Sequence, residues 1–179
     1  DELPGGWNDS HLMGVAVACV YSFRDDRFRF YGEKDVEKLK QRILDADRVS
    51  GFNIWKFDFC VVWGIPETER VTELLPKTND LLRRIWLAEG LNPDKFDRKT
   101  HGGYKLDDVC KDTLGRQKIG NGADAPKWYQ AGEVLRVAEY CCDDVSLERD
   151  LAAFVDKYGF VTVGNRVIYL DGDNAKEGI

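Results

Sequence analysis

The sequence predicts an α/β protein in which helices pack on the faces of a mixed sheet and a β-hairpin closes the chain. Three observations carry that prediction. Leu12 to Phe23 is almost continuously apolar, and past the polar turn Arg24-Asp25-Asp26-Arg27, Phe28 and Phe30 alternate with Arg27 and Arg29, so the two stretches form an antiparallel pair. Helix-period and strand-like stretches then follow one another, which sets helices against a sheet. Near the end, Phe160 to Val163 and Arg166 to Leu170 flank Gly164-Asn165, a two-residue hairpin signal.

The elements follow in order. Asp1 to His11 is polar and turn-rich. Val15, Val17 and Val20 suit a first strand buried on both faces. Lys34 to Ala46 carries Val36, Leu39, Ile43 and Leu44 at helical spacing, its lysines alternating with acids as a solvated face does. Val49 to Asn53 is a short strand, and Phe57 to Trp63 opens a buried helix. Glu67 to Leu75 is polar surface ending at Pro76, and Leu81, Leu82, Ile85 and Trp86 make another helical face. Leu91 to Lys105, with Pro93, Gly102 and Gly103, reads as a long loop and the most basic stretch of the chain. Leu106 to Leu114 is a helix closed by Gly115, and Gln117 to Gln130 is irregular. Glu133 to Tyr158 keeps helical spacing to Gly159, with room for a break near Asp143. Asp171 onward is polar and frays.

Composition narrows the class. A chain of 179 residues, 43% hydrophobic and 32% charged, is read as one globular domain spanning 1–179. No apolar run approaches the ~18–20 residues of a membrane span. The odd count of five cysteines, none in a Cys-x-x-Cys pair, argues against a disulfide framework and for core thiols in a reducing, cytoplasmic setting. With only His11 and His101 as further ligands, Cys141-Cys142 is read as core rather than as a zinc site. A net charge of −6 does not advertise a nucleic-acid binder, yet it is compatible with an acidic site that recruits divalent cations ahead of an anionic substrate. Gly120-Asn121-Gly122 lacks the frame of a dinucleotide-binding loop.

Two segments carry candidate chemistry. In Glu139-Tyr140-Cys141-Cys142-Asp143-Asp144-Val145, Tyr140 and Asp144 stand one helical turn apart and share a face. In Gly51-Phe52-Asn53-Ile54-Trp55-Lys56-Phe57-Asp58, a strand ends near Asn53 and Asp58 begins the next helix, where ligands collect in α/β sheets. Each has a plainer reading: Asp58 favours a helix N-terminus and Asn53 closes a turn.

Asn-x-x-x-Phe-Asp after a strand and Tyr-x-x-x-Asp on a late helix resemble the ribonuclease-H-like 3′–5′ exonucleases of the DEDD class, tyrosine subtype. The similarity runs to the branch called predicted 3′–5′ exonucleases or helicase-associated ribonuclease-H-like domains. It extends to Gly5-Gly6-Trp7-Asn8, Leu106-Asp107 with Thr113-Leu114-Gly115, and the Lys118 to Trp128 segment. The resemblance implies a ribonuclease-H-like fold and a site with two divalent metals, magnesium or manganese. It implies Asp58 and Asp144 as metal ligands, Tyr140 as the residue that positions the attacking water, and Asn53 as a contact to the terminal nucleotide. Asp143 is expected behind the site and Asp107 as a helix cap.

The sequence departs from that pattern at its front, where the family's Asp-x-Glu on the first strand should lie several residues before Gly5. The expectation is a domain truncated at its N-terminus, with two of four metal-binding acids and the central strand outside the sequence. Upstream residues, another chain or a rearranged sheet would then cover the unpaired edges. Asp58 and Asp144 alone should hold magnesium poorly, since hard cations want several oxygens. The implied activity is phosphodiester hydrolysis at single-stranded 3′ ends, within a replication, repair or helicase assembly. The alternative is an inactive relative that binds nucleic acid or a protein partner. Trp7, Trp55 and Trp128 are candidate base-stacking residues, with core packing as the competing role.

Overall fold

The structure, a computed structural model, describes residues 6–66, 68–69, 71–120 and 122–170, with side chains from Asp9 onward. Expectations placed on residues 1–5, on the Trp7 side chain and on Asp171 onward lie outside the described residues. A 3-10 stretch, Gly6–Leu12, leads into strands β1 (Val17–Ser22) and β2 (Arg27–Gly32). Helix α1 (Val36–Asp45), strand β3 (Val49–Gly51) and helix α2 (Asp58–Trp63) follow. Then come a further 3-10 run (Thr72–Lys77), strand β4 (Thr78–Asp80), and helices α3 (Leu81–Ala88), α4 (Arg98–His101), α5 (Leu106–Leu114) and α6 (Ala125–Gln130). The long helix α7 (Val134–Tyr158) and the hairpin β5 (Phe160–Val163)–β6 (Arg166–Tyr169) complete the described chain. The fold is mixed α/β, and no helix among the described residues is long and apolar enough to cross a membrane.

The strands do not make one mixed sheet. They form three two-stranded ladders: β1–β2 antiparallel, β3–β4 parallel and β5–β6 antiparallel. Among the described residues no strand pairs with the second edge of β1 or of β3. β1 is accordingly half-buried at every position, where its apolar sequence predicts burial on both faces. The hairpin itself is secured by Asp25, which accepts from Arg29 at 2.7 Å and from Arg42 of α1 at 2.9 Å.

Helix α7 organises the rest. Its 25 residues run unbroken through Asp143, because that carboxylate accepts from the Ile119 backbone N–H at 2.9 Å instead of competing for its own helix. Gly159 ends it in the left-handed region at φ 75°, with its N–H on Val155 O at 2.8 Å. The helix packs across both β1 and β3. Cys141 Sγ lies 3.8 Å from Val17 O, the Arg149 guanidinium sits 4.9 Å from the Tyr21 ring, and Arg48 pairs bidentately with Asp156 at 2.8 and 2.9 Å. Its fully buried Leu147, Leu151 and Val155 join Leu81, Ile85, Val109 and Val161 in one core, while Leu39, Trp55, Phe59 and Leu74 form a second around β1, α1 and α2.

Several elements differ from expectation. The stretch expected at the surface before Pro76 is largely exposed, but the 3-10 run that starts at Thr72 buries Leu74 completely. β4 was not expected, since Thr-Asn-Asp has little intrinsic strand tendency; Asn79 donates to Ser50 Oγ at 3.0 Å and accepts from Arg84 at 2.8 Å. The long basic loop contains α4, capped by Asp97 accepting from Lys99 N at 2.8 Å, and its His101 is 4% exposed against the Trp86 ring. The stretch expected to be irregular contains α6, with Pro126 in its first turn. All five cysteines are free.

Leu151 is fully buried in the core that also holds Leu81 and Ile85 of α3 and Val109 of α5. Leu151→Ala should lower stability by ~2–5 kcal/mol, read as a shifted urea midpoint at unchanged slope. A change below ~1 kcal/mol would mean the core collapses around the vacancy, contrary to its close packing.

Candidate functional site

The site begins with Asp80. This carboxylate, on a residue 5% exposed, accepts from the backbone N–H groups of Leu82 at 3.1 Å and Arg83 at 3.3 Å, capping α3. It also accepts from Asn53 N at 3.0 Å and Trp55 N at 3.0 Å, which locks the turn between β3 and α2. Burial pushes the Asp80 carboxyl upward against these donors, which favour its anion. In the locked turn Asn53 adopts φ 64°, a left-handed conformation that asparagine tolerates better than most residues. The turn-closing role expected of Asn53 is thus present in the geometry; its side chain lines a shallow pocket with Lys56, Arg83 and Trp86.

The same turn delivers Asp58 to the first position of α2. Solvent reaches this residue, yet crowding by protein atoms and the charges of Asp80 and Asp144 push its carboxyl up to about 7. Asp144, 86 positions away in sequence, therefore lies close enough for its charge to act on Asp58.

From α7 come Tyr140, Asp144 and Glu148, at successive four-residue steps and on the same side as Leu147, Leu151 and Val155. The inward stripe of the helix is polar in its first half and apolar in its second. Burial, together with the neighbouring Asp144 carboxylate, pushes the Tyr140 phenol up to about 12, so it stays protonated. Lys118 Nζ stands 2.8 Å from Asp144 Oδ2 and 3.4 Å from Tyr140 Oη, with both side chains of the ion pair 22% exposed. Burial alone would lower the Lys118 ammonium, but the Asp144 carboxylate outweighs it and the net direction is upward. The other oxygen, Asp144 Oδ1, is buried without a hydrogen-bond partner.

Glu148 escaped the sequence reading. Burial, with Asp58 and Asp144 nearby, holds its carboxyl well above the ordinary value. A Cβ on Gly51 would meet Glu148 Oε2 at 3.2 Å and run into the Ile54 side chain, so β3 passes close to α7 only as glycine. The available signal was its place one turn beyond Asp144 on the helix face that becomes apolar. Asp80 was equally legible as an N-cap directly before Leu81-Leu82.

Lys118 arrives on a strap secured from below. Its backbone N–H donates to Asp107 at 2.7 Å, and that of Ile119 donates to Asp143. Asp107 therefore does not cap α5, as expected; its carboxylate is turned toward the strap, and Lys105 holds the N-cap position without a side-chain bond. Gly120 and Gly122 let the strap pass over Tyr140, where Cβ atoms would come within 3.2 Å of the ring and 3.0 Å of the hydroxyl. Trp128 meets Tyr140 edge-on at 6.1 Å beneath the Arg136 guanidinium, and Trp55 is buried edge-on to Phe59, so both pack in place.

Tyr140 and Asp144 share Lys118, and the Asp144 charge acts on Asp58, whereas Asn53 borders a small pocket with Asp80 and Trp86. The fit to a divalent cation is incomplete. Among the described residues no group of three His, Cys, Asp or Glu side chains is arranged to hold a metal ion. Two features nonetheless suit a cation: the orphaned Asp144 Oδ1 and the concentration of carboxylates. Comparison with protein-family models, curated proteins and solved structures returns no match.

Asp80→Ala removes a helix cap and leaves buried N–H groups of the Asn53 turn without an acceptor, so it should cost about 3 kcal/mol or more in urea unfolding. A loss under ~1 kcal/mol would show that water replaces the carboxylate. Asp58 and Glu148 set a pH dependence. Asp58 rises from 3.8 to about 7 on folding, so the native state keeps a proton that the unfolded chain loses in that window. Stability should fall as pH rises from about 4 toward 7, with Glu148 adding to the fall. Asp58→Asn should flatten the slope, and an unchanged pH profile of the melting temperature would contradict the assigned direction.

Proposed function

We propose that the chain acts as a metal-dependent 3′–5′ exonuclease of ribonuclease-H-like type on single-stranded nucleic acid. What supports this reading is that the Asp144 charge, beside Lys118 and Tyr140 on α7, acts on Asp58 of α2, 86 positions away in the chain. Magnesium or manganese at Asp58 and Asp144 would supply Lewis acidity and an activated water. The described residues offer too few ligands for this, so further oxygens must come from outside them, from water or from the substrate phosphate.

The protein's own groups have separable tasks. Tyr140, protonated and held between Asp144 and Lys118, orients a water beside Asp144 through its hydroxyl. Lys118 offsets phosphate charge at the cleft. Lys56, close to the Trp86 and Phe96 rings at 5.8 and 6.0 Å, gives the surface beside Asn53 a cationic and aromatic face against which a terminal nucleotide would lie. A second reading, an inactive relative that binds nucleic acid or a protein, is favoured by one observation: Asp144 is already paired with a lysine where a catalytic metal ligand would be free.

The deciding assay incubates a 3′-labelled single strand with the protein, with and without manganese. The exonuclease reading expects stepwise shortening. Asp58→Asn and Asp144→Asn should reduce it below detection, and Tyr140→Phe should slow it by about 10²-fold. Strand binding with no shortening in any form would favour the inactive relative.

A further inference from the structure

The most basic stretch of the chain, 91–105, supplies none of the residues around Asp144. Lys95, Arg98, Lys99 and Lys105 stand there against Asp94 and Asp97, in a chain of net charge −6. Both acids are engaged: Asp94 accepts from Arg83 at 2.8 Å, and Asp97 accepts from the Lys99 N–H at 2.8 Å. Among the described residues no carboxylate pairs with Lys95, Arg98 or Lys99, and all three are exposed. In their midst the Phe96 ring is 56% exposed, yet it is not loose. It rests on Trp86 at 6.1 Å and on His101 at 5.7 Å, both buried. His101 knits the loop beneath it. Its Nδ1 accepts from the Asp97 N–H at 3.2 Å, its Nε2 donates to Asn92 O at 3.1 Å, and its carbonyl accepts from Trp86 Nε1 at 3.3 Å. The Lys56 ammonium lies 6.0 Å from the Phe96 centroid, which joins this loop to the turn that carries Asn53 and Asp58.

We infer that Phe96, with Lys95, Arg98 and Lys99 around it, forms a landing platform for single-stranded nucleic acid that works without a metal ion. A base stacks on the exposed ring, and the flanking cations meet the phosphates. The inference rests on the exonuclease reading for the strand as substrate, while the binding itself is independent of cleavage. The ring selects the occupant. An acidic peptide or an anionic membrane surface would answer the charge alone, whereas a base brings the flat π-face that an aromatic held in one orientation receives best. The platform is built before the strand arrives: Trp86 and His101 fix Phe96, so little side-chain entropy remains to be lost on binding. Screening explains how a chain of net charge −6 takes a polyanion here. At physiological salt, exposed charges more than ~8 Å away are largely screened, so the strand meets the loop and not the net charge.

The test follows binding of a fluorescent thymidine oligonucleotide by anisotropy, in EDTA so that no divalent ion takes part. Phe96→Ala should bind it about tenfold or more weakly, the loss that one stacked base corresponds to. Phe96→Tyr should bind like the native protein. An abasic strand of equal length should bind the native protein and Phe96→Ala alike. Lys95→Gln, Arg98→Gln and Lys99→Gln together should lower the slope of log affinity against log salt by about 2. Ultraviolet cross-linking of the native chain to the same strand, read by mass spectrometry, should mark Phe96. Equal affinity of native protein and Phe96→Ala for the thymidine strand, or an unchanged salt slope in the triple variant, would overturn the inference. So would no binding of the strand by the native protein, with or without binding to phosphatidylserine vesicles. If Phe96→Ala does not fold, the cross-link in the native chain and the salt slope decide. Strand binding that follows this pattern, with no shortening in manganese, leaves the platform standing and overturns the exonuclease reading. Shortening by Phe96→Ala at the native rate and with native affinity does the reverse.

Discussion

The structure depends on one buried carboxylate. Asp80 gathers backbone N–H groups from two unconnected places, the start of α3 and the turn after β3. A buried N–H without an acceptor costs more than a made hydrogen bond returns, so these donors leave the turn little choice of conformation. Asn53 takes up the left-handed residue that the turn requires, and Asp58 emerges where α2 begins. The three-residue strand β4 exists largely to carry this group. Its parallel ladder with β3 is too short to be independently stable, and it persists because Asp80, Asn79 and Ser50 tie the two strands through side chains.

Helix α7 answers the same cleft from the other side. A helix that crosses a core ordinarily shows an apolar inward stripe. Here the stripe changes character along its length, with Leu147, Leu151 and Val155 buried at one end and Tyr140, Asp144 and Glu148 at the other. The apolar end anchors the helix through close packing. The polar end would be costly to enclose, and it is left half-open, partnered by Lys118 and by the phenol of Tyr140. Stability and chemistry are thus divided along a single helix face. The glycines at 51, 120 and 122 let backbone approach this face from both directions.

Much of this was legible along the chain. The period of Glu133 to Tyr158 and its closing glycine mark α7, and Gly164-Asn165 marks the last hairpin, because both signals are local and repeat over many residues. Tyr140 and Asp144 share a face for the same local reason. What escaped was short or depended on distant partners. β4 is polar and three residues long, so no periodicity could reveal it. Leu74 lies in a stretch whose polarity speaks for the surface, yet the second core closes over it. Asp107 was expected to cap the helix it begins, but a strap eleven residues onward takes its carboxylate. Glu148 sits at a spacing that fits an ordinary surface acid as well as a site residue.

By itself, the sequence determined the class of fold, the long late helix, both hairpins and the pairing of Tyr140 with Asp144, since each is decided by neighbours within a few residues. Only the tertiary structure decided that the Asp144 charge acts on Asp58, that Lys118 pairs with Asp144, and that the strands stand as three ladders rather than one sheet. Convergence across 86 positions and the choice of counter-charge are set by which backbone groups need partners and which faces need burial. Those demands become specific only once the chain is folded and water is excluded.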